Sequence, residues 1–444
     1  MPGYEEIIRC NRCGFCQSVC PTYLHSHDEV QVARGRIHLT RLLLEGKYDF
    51  TKDPELAEKV DDCLLCGSCT VACPSSVKTD EIMVAARNDF VTNRGLKLFQ
   101  KLVYGGLLPR KERLERVTSL MRLYEKSGAR NVLYGKVLRR AFDRLVYYES
   151  FLPDNLSKPA RLGLGPIVRP SSAPKIKIAF FLGCASNAFW GRTVRDSLSY
   201  LISRGALIHI PPTTCCGEPH RSSGDLTETK KLALKNSELI FKEEYEAIVT
   251  DCSTCAKALS RYDEFVGPDS KEGERVRALL GRVVDLNTFV VERLGLRTED
   301  LKPTGFGTVT YHDSCHAIRG LGIREAPRAI LSAIPGLAFR EMEGADSCCG
   351  GAGSYGFTHP TMSGRIAADK AAKIAKSGAD VLSTSCPACA LQLGAGLKRA
   401  WKTVPILHPV ELLAHSAGVA ESVPPTIGHA GDRQAKVDKR ERRP

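Results

Sequence analysis

No run of 18 apolar residues occurs anywhere in the 444-residue sequence, so no membrane-crossing helix is expected. The opening segment, MPGYEEIIRC, has neither a basic n-region nor an apolar h-region, so no secretory signal is read there. A cytoplasmic location is expected, with peripheral contact at the inner membrane face as its one variant. There is no P-loop, no nucleophile elbow and no HExxH, so no nucleotide-phosphate, serine-hydrolase or zincin site is read. Apolar residues at 43% and charged residues at 25% are ordinary for a globular chain, which excludes a collagen, a mucin or a mostly disordered protein. The length suggests about three domains.

What is abundant is cysteine. Eighteen residues, about 4% of the chain, are too sparse for a small disulfide scaffold and dense for a cytosolic enzyme. In a reducing compartment such cysteines are metal ligands or redox groups more often than disulfides. Charge is also uneven. The net charge is +13, and residues 94–170 carry 17 Lys/Arg against 6 Asp/Glu, a local +11.

The chain divides accordingly. Residues 1–93 hold eight cysteines in two clusters. Residues 94–174 form a basic helical linker, with Leu120, Leu123 and Tyr124, and then Leu138, Phe142 and Leu145, at helical spacing. It ends in the Pro/Gly/Ser-rich run LGLGPIVRPSSAP. Residues 175–300 and 304–420 form a repeat, and 421–444 read as a disordered polar tail.

The repeat shows in its cysteines. Cys184, Cys215, Cys216, Cys252 and Cys255 follow the pattern C-x30-C-C-x35-C-x2-C. Cys315, Cys348, Cys349, Cys386 and Cys389 follow C-x32-C-C-x36-C-x2-C. Agreement over so many intervals points to duplicated units. Short, partly β-branched apolar runs precede the cysteine groups: KIKIAFF, ALIHI, AIVT, GTVTY and ADVLS. Helical patterns lie between them, at 227–244 and 364–377. Each copy closes on an apolar segment read as a helix, VVDLNTFVVERLG and ILHPVELLAHSAG. The prediction is an α+β multidomain chain: a helical ferredoxin-like domain, then two α/β units with parallel sheets. Their cysteines would sit beyond the C-terminal ends of the strands.

The first two clusters carry the firmest signal. Cys10, Cys13, Cys16 and Cys20 form C-x2-C-x2-C-x3-C-P, and Cys63, Cys66, Cys69 and Cys73 repeat it. This run binds [4Fe–4S] clusters in two-cluster ferredoxins, the fourth cysteine ligating the other cluster. Cys10, Cys13, Cys16 and Cys73 are therefore assigned to one cluster, and Cys63, Cys66, Cys69 and Cys20 to the second. Small residues at Gly14, Gly67 and Ser68 let backbone N–H groups approach. A pair of zinc sites is the alternative, though zinc usually takes two CxxC knuckles.

The C…CCG…CxxC pattern resembles the cysteine-rich CCG domain of heterodisulfide reductase and of several oxidoreductase iron–sulfur subunits. A two-cluster ferredoxin domain followed by two CCG domains, over about residues 5–418, most resembles the glycolate oxidase iron–sulfur subunit family. The resemblance implies that each five-cysteine set can hold a non-cubane [4Fe–4S] cluster. A conventional cluster or a zinc ion on four of the five remains open. It also implies an iron–sulfur electron-transfer subunit of a 2-hydroxy acid (glycolate or lactate) dehydrogenase. A partner FAD subunit would donate electrons, and a quinone or other carrier would accept them, with no FAD or NAD on this chain. Two alternatives stay open: a thiol–disulfide reductase with a CCG cluster as active site, and a relay for an electron-transferring flavoprotein.

His312 and His316 flank Cys315, and His220 follows Cys216. Histidine titrates near neutrality, so His312 and His316 are candidate catalytic proton donors, with hydrogen bonding or loop packing as the alternative. Gly351–Gly356 matches G-x-G-x-x-G but lies inside the metal motif rather than after a strand, so no dinucleotide site is read. The basic linker suits anionic lipid, an acidic flavoprotein or plain solvent. No nucleic-acid motif accompanies the charge.

Overall fold

The computed structural model describes residues 4–49, 54–127, 143–266, 270–400, 402 and 404–421. Leu138, Phe142 and the tail from residue 422 lie outside the described residues.

Among the described residues, nine strands form two sheets. The first contains β1 (Ile167–Val168), β2 (Ile176–Phe180), β3 (Ala206–His209), β4 (Ala247–Thr250) and β5 (Val283–Asp285), in the order β1-β3-β2-β4-β5. The second contains β6 (Thr308–Tyr311), β7 (Ala338–Phe339), β8 (Val381–Ser383) and β9 (Ile406–Leu407), in the order β7-β6-β8-β9. Removing β1 leaves the same parallel topology twice, so the duplication read from the cysteines is a duplication of fold. Each sheet is covered by helices on both faces. That is why β4 and β8 read as unbroken apolar runs and are buried at every position.

Two local readings change. The run LGLGPIVRPSSAP is more than a linker, because Ile167 and Val168 pair antiparallel with His209 and Ile208 at the sheet edge. The closing apolar segments begin as strands, because Val283 and Val284 pair with β4, and Ile406 and Leu407 with β8. Asp285 and His408 then end those strands by capping the following helices. Asp285 accepts from Asn287 N at 2.9 Å, and His408 Nδ1 accepts from Val410 N at 3.1 Å.

The two repeats share one core. Phe180, Leu198 and Val290 of the first pack in one cluster with Val309, Ile330 and Leu413 of the second. Helix Gly191–Ser203 lies on helix Pro409–Ser416. There the fully buried Glu411 accepts from Arg192 Nε at 2.9 Å and from Thr193 Oγ1 at 2.8 Å.

The N-terminal module is built from helices and turns. Helices Ala33–Leu44 and Thr79–Arg94 pack around Ile37, Val60, Ile82 and Met83. It docks on both repeats. Arg87 donates to Ser222 O at 2.6 Å and to Cys63 O at 2.5 Å, and Arg221 pairs with Glu81 at 2.6 Å. The approach is close enough that a Cβ on Gly224 would fall 2.4 Å from the Arg87 carbonyl carbon.

Among its described residues the linker binds the repeats through one face and exposes another. On helix Lys111–Lys126, Lys111, Leu114, Glu115 and Thr118 are buried, whereas Leu120 and Leu123 are exposed. Further along, Tyr147 Oη donates to Gly356 O of the second repeat at 2.9 Å.

Candidate metal centres

The ferredoxin-type loops share one backbone shape. Arg12 and Leu65, each just before the second cysteine of its run, have φ of 56° and 50°. Gly14 and Gly67, just after it, have φ of 91° and 70°. Alternating left-handed residues turn successive N–H groups to one side, which suits an anionic group held by the loop. Non-glycine residues rarely adopt such φ, so two at matching positions indicate a loop shaped for its contents.

Cys20, Cys63, Cys66 and Cys69 line one small cavity, together with Thr22, Arg36 and Thr79. The crossing cysteine, Cys20, reaches it from the other run. Burial raises the Cys69 thiol well above its ordinary range, and the neighbouring sulfurs of Cys66, Cys63 and Cys20 add to the shift. Four crowded thiols resist ionising together unless a cation sits among them, which is the condition a thiolate-bound metal meets. In the other set, burial raises the Cys16 thiol, with Cys20 and Cys10 adding. Cys10 and Cys73 pack against the module core, and Cys13 is exposed at the rim.

All five cysteines of the first repeat are buried, at or beyond the C-terminal ends of β2, β3 and β4. Their thiols lie close enough to shift one another in series: Cys184 with Cys215, Cys215 with Cys216, Cys216 with Cys255 and Cys255 with Cys252. Its Cys215 neighbour, and then Cys255, pulls Cys216 down to about 6. In the second repeat Cys348, Cys349, Cys389 and Cys386 are linked in the same manner, and Cys315 sits near Cys348. Cys252 and Cys386 each occupy the N-cap of the next helix, yet Cys386 is drawn well toward thiolate by its Cys252 and Cys389 neighbours whereas Cys252, although its Cys255 neighbour lowers it, is pushed well up by its Cys386 neighbour and by burial.

Two contacts join the centres. Cys66 of the N-terminal module packs with Cys348, and the thiols of Cys386 and Cys252 lie close enough to shift one another. The sulfurs therefore run from the N-terminal module through the second repeat into the first.

Each repeat also has one buried lysine beside its thiols, which the sequence reading missed. Lys111, from the linker, donates to Leu182 O at 3.1 Å near Cys184, Cys255 and Cys215. Lys370 donates to Ala345 O at 3.0 Å and Ser347 Oγ at 3.2 Å, near Cys349 and Cys348. Burial lowers both to about 8. Both arise in ordinary helical patterns, and nothing local marks them.

The histidines divide. His316 lies 3.1 Å from Thr254 Oγ1, 3.6 Å from Glu218 and 3.9 Å from Cys315 Sγ. Burial opposes its protonation, but Cys315 and Glu218 raise it well above its ordinary value. His312 is 1% exposed and neither ring nitrogen makes a well-formed hydrogen bond. Burial pushes it down to about 3, so the ring is neutral. His220 packs on Tyr104 and bonds to its carbonyl at 3.2 Å, a linker anchor. The G-x-G-x-x-G glycines serve close packing: a Cβ on Gly351 would lie 3.2 Å from Gln392 and 3.5 Å from Cys349 Sγ.

The donor chemistry fits thiophilic metal: grouped buried thiols, three of them (Cys216, Cys349 and Cys386) drawn toward thiolate, with a buried neutral imidazole beside them. Comparison with known families agrees. The 4Fe-4S dicluster domain family matches residues 6–77 and the cysteine-rich CCG domain family matches 178–260 and 309–394. The linker region of the glycolate oxidase iron-sulfur subunit matches 95–152. Over 423 residues the chain is 33% identical to the probable glycolate oxidase iron-sulfur subunit of Bacillus subtilis, covering 93% of this chain and 94% of that one. The chain belongs to the glycolate oxidase iron–sulfur subunit family. As a member of that family it is an iron–sulfur protein and a subunit of an oxidoreductase. It is also 28% identical over 247 residues to lactate utilization protein A of Halalkalibacterium halodurans, covering 55% of this chain and all of that one. A solved structure of a hypothetical protein from Helicobacter pylori shares the fold, with a TM-score of 0.50 at 12% identity over 87% of this chain and 68% of that one.

Proposed function

We propose that the protein is the electron-transfer subunit of a 2-hydroxy acid dehydrogenase complex acting on glycolate or lactate. A partner FAD subunit would oxidise the substrate, and this chain would carry electrons to a quinone or another carrier. The observation that carries the reading is the continuous sulfur path through Cys66, Cys348, Cys386 and Cys252. A chain that only bound metal for stability would have no need to bring its separate centres into contact.

In this reading Cys10, Cys13, Cys16 and Cys73 hold one [4Fe–4S] cluster, and Cys63, Cys66, Cys69 and Cys20 hold a second. The two five-cysteine sets hold the further centres. Bound clusters supply one-electron acceptance and release. The chain's own residues supply thiolates, screen them with Lys111 and Lys370, and exclude water by burial.

A cavity of about 680 Å³ supports an apolar acceptor. Phe151, Phe189, Phe357 and Leu391 line it, and Gly351 and Ala388 bring its wall to the Cys349 and Cys386–Cys389 loops. Tyr148 and Phe357 stack within it at 3° between planes. Flat aromatic walls of this kind suit a quinone ring.

The test uses the complex, isolated anaerobically with its partners. Glycolate or lactate should bleach the visible iron–sulfur absorbance with flavin present. Absence of bleaching, in a preparation that dithionite still reduces, overturns the hydroxy-acid reading. The disulfide-reductase reading draws on His316, 3.9 Å from Cys315 Sγ, whose charged form Cys315 and Glu218 favour, as a placed acid for a leaving thiolate. It requires disulfide cleavage by the isolated chain.

A further inference from the structure

The two repeats are alike in topology and in all five cysteines, but they differ at the position three residues before the first cysteine. In the first repeat this is Phe181, and in the second it is His312. The backbone places them identically. Phe181 N donates to Val249 O of β4 at 2.8 Å, and His312 N donates to Ser383 O of β8 at 2.8 Å. Phe181 is buried and packs with Cys216, Cys252 and Cys255. At the matching place, a ring nitrogen of His312 and the sulfurs of Cys349 and Cys389 lie within 4.8 Å of one another, all buried.

An imidazole in a phenyl's place must satisfy two ring nitrogens. Neither nitrogen of His312 makes a well-formed hydrogen bond, although the Ala345 backbone lies close enough to favour the protonated ring. A buried polar group left in that state destabilises the fold, and a phenyl ring already fills the equivalent space in the first repeat. A ring nitrogen within 4.8 Å of two cysteine sulfurs has an evident partner: a metal those sulfurs bind. Zinc and iron–sulfur sites both accept mixed sulfur and imidazole ligation.

We propose that His312 is a nitrogen ligand of the second repeat's metal centre, so that this centre has mixed sulfur–nitrogen ligation and the first has sulfur alone. The inference does not depend on which donor or acceptor the complex uses.

The test uses the full chain, loaded anaerobically and labelled with nitrogen-15 histidine, alongside His312→Phe and His316→Gln. Elemental analysis first establishes which metals the repeats hold. If the second repeat holds iron, pulsed electron paramagnetic resonance should show a directly bonded nitrogen. If it holds zinc, X-ray absorption should show a nitrogen shell at about 2.0–2.1 Å beside the sulfurs. The signal should vanish in His312→Phe and persist in His316→Gln. A sulfur-only shell, only the weak coupling of a hydrogen-bonded nitrogen, a signal surviving His312→Phe, or a second repeat without metal overturns the proposal. Thermal unfolding adds a readout of opposite sign. His312→Phe should raise the melting temperature of metal-free protein, because the variant has no ring nitrogen to satisfy, and lower that of loaded protein. A side chain that only fills space would shift both the same way.

Discussion

Cys252 and Cys386 meet across the boundary between the two repeats, each at the N-cap of its helix and each close enough to shift the other's thiol. The contact is reinforced on both sides. Ser253 N donates to Ser385 O at 3.0 Å, and Asn287 Nδ2 donates to Ser385 Oγ at 2.8 Å. The two CxxC loops thus form one rigid seam, and the separation of the two centres is set by hydrogen bonds rather than by a hinge.

Crossed ligation in the N-terminal module can be tested by counting iron. Under the crossed assignment Cys20 and Cys63 serve the same cluster. The Cys20→Ala/Cys63→Ala double variant should then lose roughly four irons, one cubane, and keep the other cluster. If each run served its own cluster, the same variant would lose both.

Arg328 clamps a buried acid. It donates to Asp313 from two nitrogens at 2.9 and 2.8 Å, and also pairs with the half-exposed Glu341. Asp313 is 1% exposed, so Arg328→Ala strands a buried carboxylate beside His312. A loss of about 3–5 kcal/mol is expected in chemical denaturation. Glu341→Ala, at the exposed end of the same clamp, should cost about 0–1 kcal/mol.

Gly224 has φ of +91° and leaves no room for a Cβ against the Arg87 backbone, whereas Gly46, at φ of +68°, has nothing within 4 Å. Gly46→Ala should cost only the left-handed strain, about 1–2 kcal/mol. Gly224→Ala adds a clash and should loosen the N-terminal module from the repeats. Limited proteolysis of the 94–127 stretch should accelerate in Gly224→Ala and stay unchanged in Gly46→Ala.

Leu391→Trp should fill the apolar cavity without touching a thiol. In the complex, quinone reduction should slow by tenfold or more, while bleaching by the hydroxy acid keeps its rate. Equal rates of quinone reduction in the two proteins would show that the acceptor binds elsewhere.

Much of this architecture was legible in the sequence. Apolar runs placed β2, β3, β4, β6 and β8, because strands buried on both faces must be continuously apolar. Interval agreement exposed the duplication. What stayed hidden depends on packing between segments distant in sequence. No spacing rule says that Cys66 meets Cys348, or that Lys111 enters the first repeat's thiol set. β1 was obscured by the Gly and Pro around it, and β5 and β9 by running straight into helices. His312 was singled out beside Cys315, but its lack of a well-formed hydrogen bond appears only once the fold closes around it.

The Cys66–Cys348 contact also bears on how the protein is made. The two residues stand 282 positions apart. At about 5–20 residues per second, a ribosome needs roughly 15–55 s to travel from one to the other. Throughout that time the Cys66 side of the pair waits without its partner. Under the crossed assignment its cluster partners Cys20, Cys63 and Cys69 are all made by then, so that cluster can form before Cys348 arrives, and the contact between the centres forms last.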